Sequence, residues 1–450
     1  MTATTIIGRC FSGRGRPAWT ALLVAVLAIL ASSARAQADP TELFGLDART
    51  MGMANAGAAL GGSWASATHN PAAAALAPRI EIGVGYGYGH AWMTVNHHDG
   101  GLMDMRGIAF GVVAPFDLPK GLRLSFAMTA YVPDQFLARV QLIPAYEPRF
   151  VRLDNSPNRI SVTPVVALKV WRLLSLGIGA AVLADASGKG VRFDVGVKGG
   201  TKVGEAAVDV DLPTKVAPIA GVFFGPIGGF SVGIVYRGEL DMRLALDILA
   251  NVDVAGVVTG DTVIDMRAVN YFTPQKLTAG LAYNWRNRII AAATLTWRDW
   301  SAFRSGTADV RLFMDLGLSP PMLQTEMPAD NFQDTLSVRV GGEYRHPLDH
   351  GRGLTSRVGY GFEPSPVPAQ IGLSALLDND RHIVTAGFGV DLGRISQIVP
   401  WVVRIDVAIQ YHHLMNRVDQ RALRWGGLGG GGLIYGGDML HVALSGTVGF

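Results

Sequence analysis

Cysteine is nearly absent from this chain: of 450 residues, only Cys10 carries a thiol. Structural disulfides, thiolate-bound metals and a cysteine nucleophile are excluded everywhere downstream of it. Charge is scarce as well, at 17% Asp, Glu, Lys and Arg against 49% apolar residues, a ratio unusual for a water-soluble protein of this length. Long apolar runs are also missing. Beyond residue 31 none reaches the ~20 residues that a membrane-spanning helix requires. An apolar-rich chain without apolar runs points to alternating strands, which hide a large lipid-facing surface from a hydropathy scan.

The first 36 residues have a separate logic. Arg9, Arg14 and Arg16 form a basic stretch, an uncharged apolar run covers 18–31, and Ala34-Arg35-Ala36 supplies a small-x-small cleavage pattern. That order reads as a secretory signal peptide over 1–36, with an uncleaved anchor as the alternative. Its loss removes four arginines and no acid, so Lys+Arg falls from 39 to 35 against 36 Asp+Glu. The mature net charge is then near −1 instead of +3, and nothing recommends nucleic acid as a partner.

Alternation runs through the rest of the chain, with charge confined to one parity. Val403, Ile405, Val407, Ile409 and Tyr411 oppose Arg404, Asp406, Gln410 and His412; Leu336, Val338, Val340 and Tyr344 oppose Ser337, Arg339, Glu343 and Arg345. Similar patterns occupy 122–129 and 291–298. Period two with one strictly apolar face is a half-buried strand. Arginine on the opposite face implies a wet interior, because charge facing lipid costs about 2–4 kcal/mol at the midplane. Strands are predicted at 80–92, 104–114, 121–131, 158–170, 173–184, 215–223, 229–241, 275–285, 289–299, 334–345, 354–363, 382–391, 401–412 and 438–450. The connections alternate long and short, the pattern of extracellular loops and periplasmic turns. Trp171, Trp285 and Trp401 fall at periplasmic strand ends, and Trp92 and Trp300 at outer ends, as an aromatic girdle requires. The last strand ends on Phe450, which reads as a signal to the barrel assembly machinery.

The fold class is therefore all-β: a 14-stranded antiparallel transmembrane β-barrel over 80–450. Residues 37–79 are rich in Gly and Ala, poorly charged and without sustained period. A hatch, or plug, inside the lumen fits that composition, and a disordered periplasmic tail is the alternative.

Specific residues carry a family resemblance. The pattern over 45–59, the Asn70-Pro71-Ala72 triplet and the strand after it resemble the N-terminal hatch of FadL/TodX-type outer-membrane transporters. So, in the family's order, do 164–180, Trp297-Arg298-Asp299-Trp300, the block 332–345, Ser365-Pro366-Val367-Pro368 and Asp378-Asn379-Asp380-Arg381-His382. The resemblance implies a monomeric barrel in the outer membrane of a Gram-negative-type bacterium, closed by its own N-terminus. It also implies uptake of long-chain fatty acids, or of aromatic hydrocarbons, by loop capture, hatch rearrangement and lateral release. Asn70, Pro71 and Ala72 carry over as the hatch triplet beside a lateral opening.

Candidate binding residues follow from this. Arg339, Arg357 and Arg404 have lumen parity and suit a ligand carboxylate, although ion pairs with Glu343, Glu363 or Asp406 compete for them. Leu312, Phe313, Met314, Leu316 and Leu318 read as a hydrophobic capture loop or, equally, as a short packed helix. The partners implied are a hydrophobic small molecule and outer-membrane lipid and lipopolysaccharide, with no cofactor, no metal and no catalytic residue. An outer-membrane lipase or protease finds no diagnostic spacing among the histidines, since the neighbours His97-His98 and His412-His413 point opposite ways along a strand. A general porin would have no use for 37–79.

Overall fold

A computed structural model describes residues 32–33, 43–134, 143–144, 148–153, 160–184, 186–197, 201–212, 214–254, 258–303, 309–315, 323–325, 331–369, 376–394, 401–419 and 432–450. The expected signal peptide lies outside these residues apart from Ser32 and Ser33. Fourteen strands form one antiparallel wall. They are β1 (Glu81–Val95), β2 (Met105–Asp117), β3 (Arg123–Pro133), β4 (Ser161–Lys169), β5 (Leu174–Leu183), β6 (Lys215–Ile227) and β7 (Phe230–Arg237). The second half holds β8 (Lys276–Trp285), β9 (Ile289–Arg298), β10 (Thr335–Pro347), β11 (Gly353–Glu363), β12 (Arg381–Arg394), β13 (Val402–Asp419) and β14 (Leu433–Gly449).

Each strand pairs with its sequence neighbours, and β14 pairs with β1 from Glu81↔Gly449 to Val95↔Tyr435, which closes the barrel. Phe450 continues the seam: its N–H donates to the Ile80 carbonyl at 2.9 Å and its ring meets Trp401 edge-on at 5.0 Å. No helix among the described residues is long and apolar enough to cross a membrane. The strands do the crossing.

Parity decides what faces where. Along β13 the exposed Ile405, Val407, Ile409 and Tyr411 alternate with the buried Asp406, Ala408, Gln410 and His412. Inward Arg339, Glu343, Arg357, Glu363 and Asp406 are all buried, as charge in a lumen packed with protein must be. Trp171, Trp285 and Trp401 are exposed at periplasmic ends, and Trp92 is exposed at the outer end. Trp300 departs from the girdle expectation. It is buried under the connections of that rim, with Phe272 at 5.9 Å and Phe332 at 6.2 Å.

Three connections expected as long loops instead contain strands. Ala186–Val197, Thr201–Leu212, Leu240–Val254, Val258–Thr273, Asp309–Asp315 and Leu323–Thr325 form a six-stranded sheet in that order on the extracellular side. Ladders pay no attention to bilayer thickness, so strands that cross the membrane run on into water wherever a partner strand is present. This corrects both readings of the proposed capture segment. Leu312, Phe313 and Met314 belong to a strand paired with Ile264, Val263 and Thr262, neither loop nor helix. Leu316 and Leu318 lie outside the described residues.

The lipid-facing assignment has a direct test. Ile409→Arg places a charge on the outer face near the middle of β13 and is expected to lower stability in phospholipid vesicles by about 2–4 kcal/mol, read from the urea midpoint. An exposed position on a water-soluble surface would change by only about 0.5 kcal/mol.

Candidate functional site

Residues 43–78 fill the lumen. Their composition permits it: twelve alanines from Ala48 to Ala77 are buried, and small side chains let this segment lie directly against the wall. Local order comes from caps. The Asp47 carboxylate accepts from the Thr50 N–H at 3.1 Å and starts the short helix Ala48–Met51. His69 Nε2 lies 3.2 Å from the same carboxylate and 2.8 Å from the Thr50 hydroxyl. Burial alone would push the Asp47 carboxyl up, but its bonds to His69 and Thr50 outweigh that and hold it below the usual carboxylate range.

Wall side chains then reach in to satisfy the segment's backbone. Gln410 donates to the Phe44 and Met51 carbonyls at 3.0 and 3.2 Å. The Thr385 hydroxyl donates to Gly52 O at 3.0 Å and accepts from Ala54 N–H at 3.1 Å. Trp64 donates its indole N–H to Thr447 at 3.1 Å, and the Thr68 and Thr129 hydroxyls pair at 2.9 Å.

Asn70, Pro71 and Ala72 sit where this segment meets β5, β6 and β7. Asn70 is fully buried. Its Oδ1 accepts from the Ala72 N–H at 3.0 Å and caps the 3-10 turn Pro71–Leu76. Its Nδ2 donates to Ala58 O at 2.8 Å and across to Val222 O in β6 at 3.1 Å. The approach demands glycine in the wall, because a Cβ on Gly221 or Gly233 would collide with Asn70 and Ala58.

Beside the triplet the wall is interrupted. The β4–β5 ladder runs Ser161↔Leu183, Val162↔Val182 and then Val165↔Gly179, skipping Thr163 and Pro164. Proline has no N–H to give a ladder, which explains the break. Gly177, against which Pro71 and Ala72 pack, lies three residues from Ala180 of β5, which has no register partner in β4. Below the segment, a cavity of about 530 Å³ opens at the periplasmic end among Leu60, Leu76, Arg79, Glu81, Asp391 and Arg404.

The three predicted arginines all occupy ion pairs. Arg357 bridges Glu343 at 2.8 Å and Asp406 at 2.7 Å; Glu343 also holds Arg345 at 2.7 Å and Arg49 of the lumenal segment at 2.9 Å. Arg404 pairs with Asp391 at 2.5 Å, a partner one strand away that the sequence reading did not name. Arg339 lies higher, 3.3 Å from Glu363 and 3.4 Å from the Ala54 carbonyl.

Arg339 belongs to a cluster that sequence reasoning missed. Glu363 is surrounded by Arg152 at 2.5 Å, Arg298 at 3.4 Å, Arg339 and Arg381 at 3.3 Å, with Asp378 3.5 Å from Arg152. Among the described residues, four buried guanidiniums thus gather at two carboxylates. Arg381 is 1% exposed, and all three of its guanidinium nitrogens lack a hydrogen-bond partner among the described residues. Arg152 also lies over Trp300, 5.7 Å from the ring centre, joining the cations to the aromatic group Phe272, Trp300, Phe303 and Phe332. A cavity of about 90 Å³ between this region and the lumenal segment is lined by Arg237, Lys276, Arg298, Arg339 and His69. The signal available in the sequence was inward arginines at the outer strand ends, which single strands do not show converging.

Comparisons agree with the architecture. The family model described as outer membrane protein transport protein (OMPP1/FadL/TodX) matches residues 27–420. A FadL homologue from Pseudomonas aeruginosa superposes with a TM-score of 0.60 at 18% identity, over 90% of this chain and 98% of its own. The CymD monoaromatic hydrocarbon channel follows at 0.55 and 15%, covering 91% and 98%. The toluene transporter TodX of P. putida gives 0.54 and 17%, covering 89% and 98%. No curated protein matches in sequence.

Removing the Asn70 amide takes away the side-chain partner of the buried Ala72 N–H and Ala58 carbonyl and the link to Val222 O in the wall. Asn70→Ala is expected to release the segment by about 1–3 kcal/mol, seen as faster hydrogen exchange at 58–76 with the strands unchanged. Unaltered exchange there would show that the amide does not hold it.

Proposed function

The chain belongs to the OMPP1/FadL/TodX family of outer-membrane proteins that carry hydrophobic molecules, and from this premise we propose that its cargo is a long-chain fatty acid. The observation that carries the reading is the group Arg152, Arg298, Arg339 and Arg381 around Glu363 and Asp378. A neutral hydrocarbon has no use for a buried guanidinium such as that of Arg381, whose nitrogens have no hydrogen-bond partner among the described residues, because such a group is expensive to keep from water. A carboxylate head group satisfies it with charge-assisted hydrogen bonds, each stabilising by about 1.5–3 kcal/mol. The apolar tail then has the adjoining aromatic group, where Phe303 and Phe332 stack at 4.4 Å.

The route follows from what closes the lumen. A ligand bound above 43–78 passes only if that segment shifts, and binding drives the shift only through tighter affinity for the shifted form. The Thr163–Pro164 interruption, beside Asn70-Pro71-Ala72, supports a sideways exit into the membrane that spares the tail a water crossing. Aromatic hydrocarbon as cargo is the second reading, favoured by the same Phe and Trp rings. Head-group dependence separates the two.

Purified barrel is expected to bind a long-chain fatty acid about tenfold or more above its methyl ester, as the loss of one charge-assisted bond requires. Arg381→Met should erase that preference while leaving ester binding intact. Equal binding of acid and ester by the unaltered protein would overturn the fatty-acid reading and favour a neutral hydrocarbon.

A further inference from the structure

The outer wall carries a notch that uptake does not use. On the lipid-facing parity of four adjacent strands, one row reads Tyr283, Ala291, Gly342, Val358 and the next reads Leu281, Ala293, Val340, Tyr360. Bulky residues flank small ones, leaving a groove of about 550 Å³ that is almost wholly apolar. That volume falls within the roughly 300–1,000 Å³ of small-molecule sites. Gly342 is central to it. A Cβ there would meet nothing nearer than the Ile290 carbonyl at 4.0 Å, and its backbone is not in the left-handed region. Neither packing nor turn geometry asks for glycine, so its effect is the depth of the groove.

The groove is no doorway. The β8–β9, β9–β10 and β10–β11 ladders run through it without a skipped pair. It also lies near the periplasmic rim, since Tyr283 and Ala291 are each two residues, about 7 Å, from the strand ends Trp285 and Ile289. The turn beneath presents Arg286 and Arg288, both exposed and making no ion pair among the described residues. Left-handed Arg286 and Asn287 make the turn tight, and the Arg286 guanidinium lies 5.4 Å from the centre of the Trp285 ring.

We propose that this face docks an anionic phospholipid of the periplasmic leaflet, with one acyl chain in the notch and the phosphate against Arg286 and Arg288. Its surroundings select the occupant: hydrocarbon is the medium at the groove, and unpaired positive charge stands at the depth of a head group. A second copy of the barrel fits less well, because a concave notch offers no matching ridge to itself. The proposal rests on the barrel's orientation in the outer membrane and not on its cargo.

Native mass spectrometry of the full barrel tests it, with phosphatidylglycerol, phosphatidylethanolamine of the same chains, or inorganic phosphate added. The unaltered protein should retain one phosphatidylglycerol in preference to phosphatidylethanolamine. Gly342→Leu, whose side chain projects into open space, should cut retention of both lipids about tenfold or more, as loss of a few methylene contacts does. Arg286→Gln with Arg288→Gln should remove the preference for the anionic lipid and keep the acyl contact. Heat-shifted gel mobility confirms that each variant is folded. Equal lipid retention by all three proteins would overturn the proposal, as would phosphate binding without lipid or a dimer that Gly342→Leu dissolves.

Discussion

A backbone that crosses hydrocarbon must find every hydrogen-bond partner inside the protein, since lipid offers none. The rest of this molecule depends on that constraint. It forces the last strand back onto the first along the fifteen pairs from Glu81↔Gly449 to Val95↔Tyr435, leaving no edge. It sends apolar side chains out and charge in. It also gives meaning to the place where the rule is relaxed, since Pro164 withholds an N–H midway along the wall.

Closing the wall moves the problem inward. A fourteen-stranded barrel encloses more room than its own side chains fill, and residues 43–78 occupy it with buried alanines held by wall side chains such as Gln410, Thr385 and Trp64. Charge is arranged on either side of this segment. Toward the periplasm, Glu343 pairs with Arg49, Arg345 and Arg357, Asp406 with Arg357, and Asp391 with Arg404, three carboxylates to four guanidiniums among the described residues. Toward the outside, four guanidiniums gather at Glu363 and Asp378 among the described residues. Buried pairs usually contribute little net stability.

The strands were legible because period two is a local signal. In β13, the order Ile405, Asp406, Val407, Ala408, Ile409, Gln410 states both the element and its orientation. The pairing of Arg357 with Glu343 was within reach because the two stand opposite each other, whereas Asp391 opposite Arg404 required the register of β12 and β13. The extracellular sheet was missed because strand length was judged against the bilayer, although alternation persists through Leu244, Leu246 and Ile248. Trp300 was misplaced because a position at a strand end does not tell whether neighbouring connections fold over it. Arg152, Arg298 and Arg381 come from a loop and two strands, and only the closed barrel brings them to one carboxylate.

The central claim is that cargo passes only when the lumenal segment parts from the wall. Thr68 and Thr129, whose hydroxyls lie 2.9 Å apart across that boundary, allow a direct measurement in a chain whose single native cysteine is Cys10. Uptake of a radiolabelled long-chain fatty acid by cells carrying Thr68→Cys with Thr129→Cys should be lost on oxidation and return on reduction. Equal uptake in the locked and unlocked protein would contradict the account.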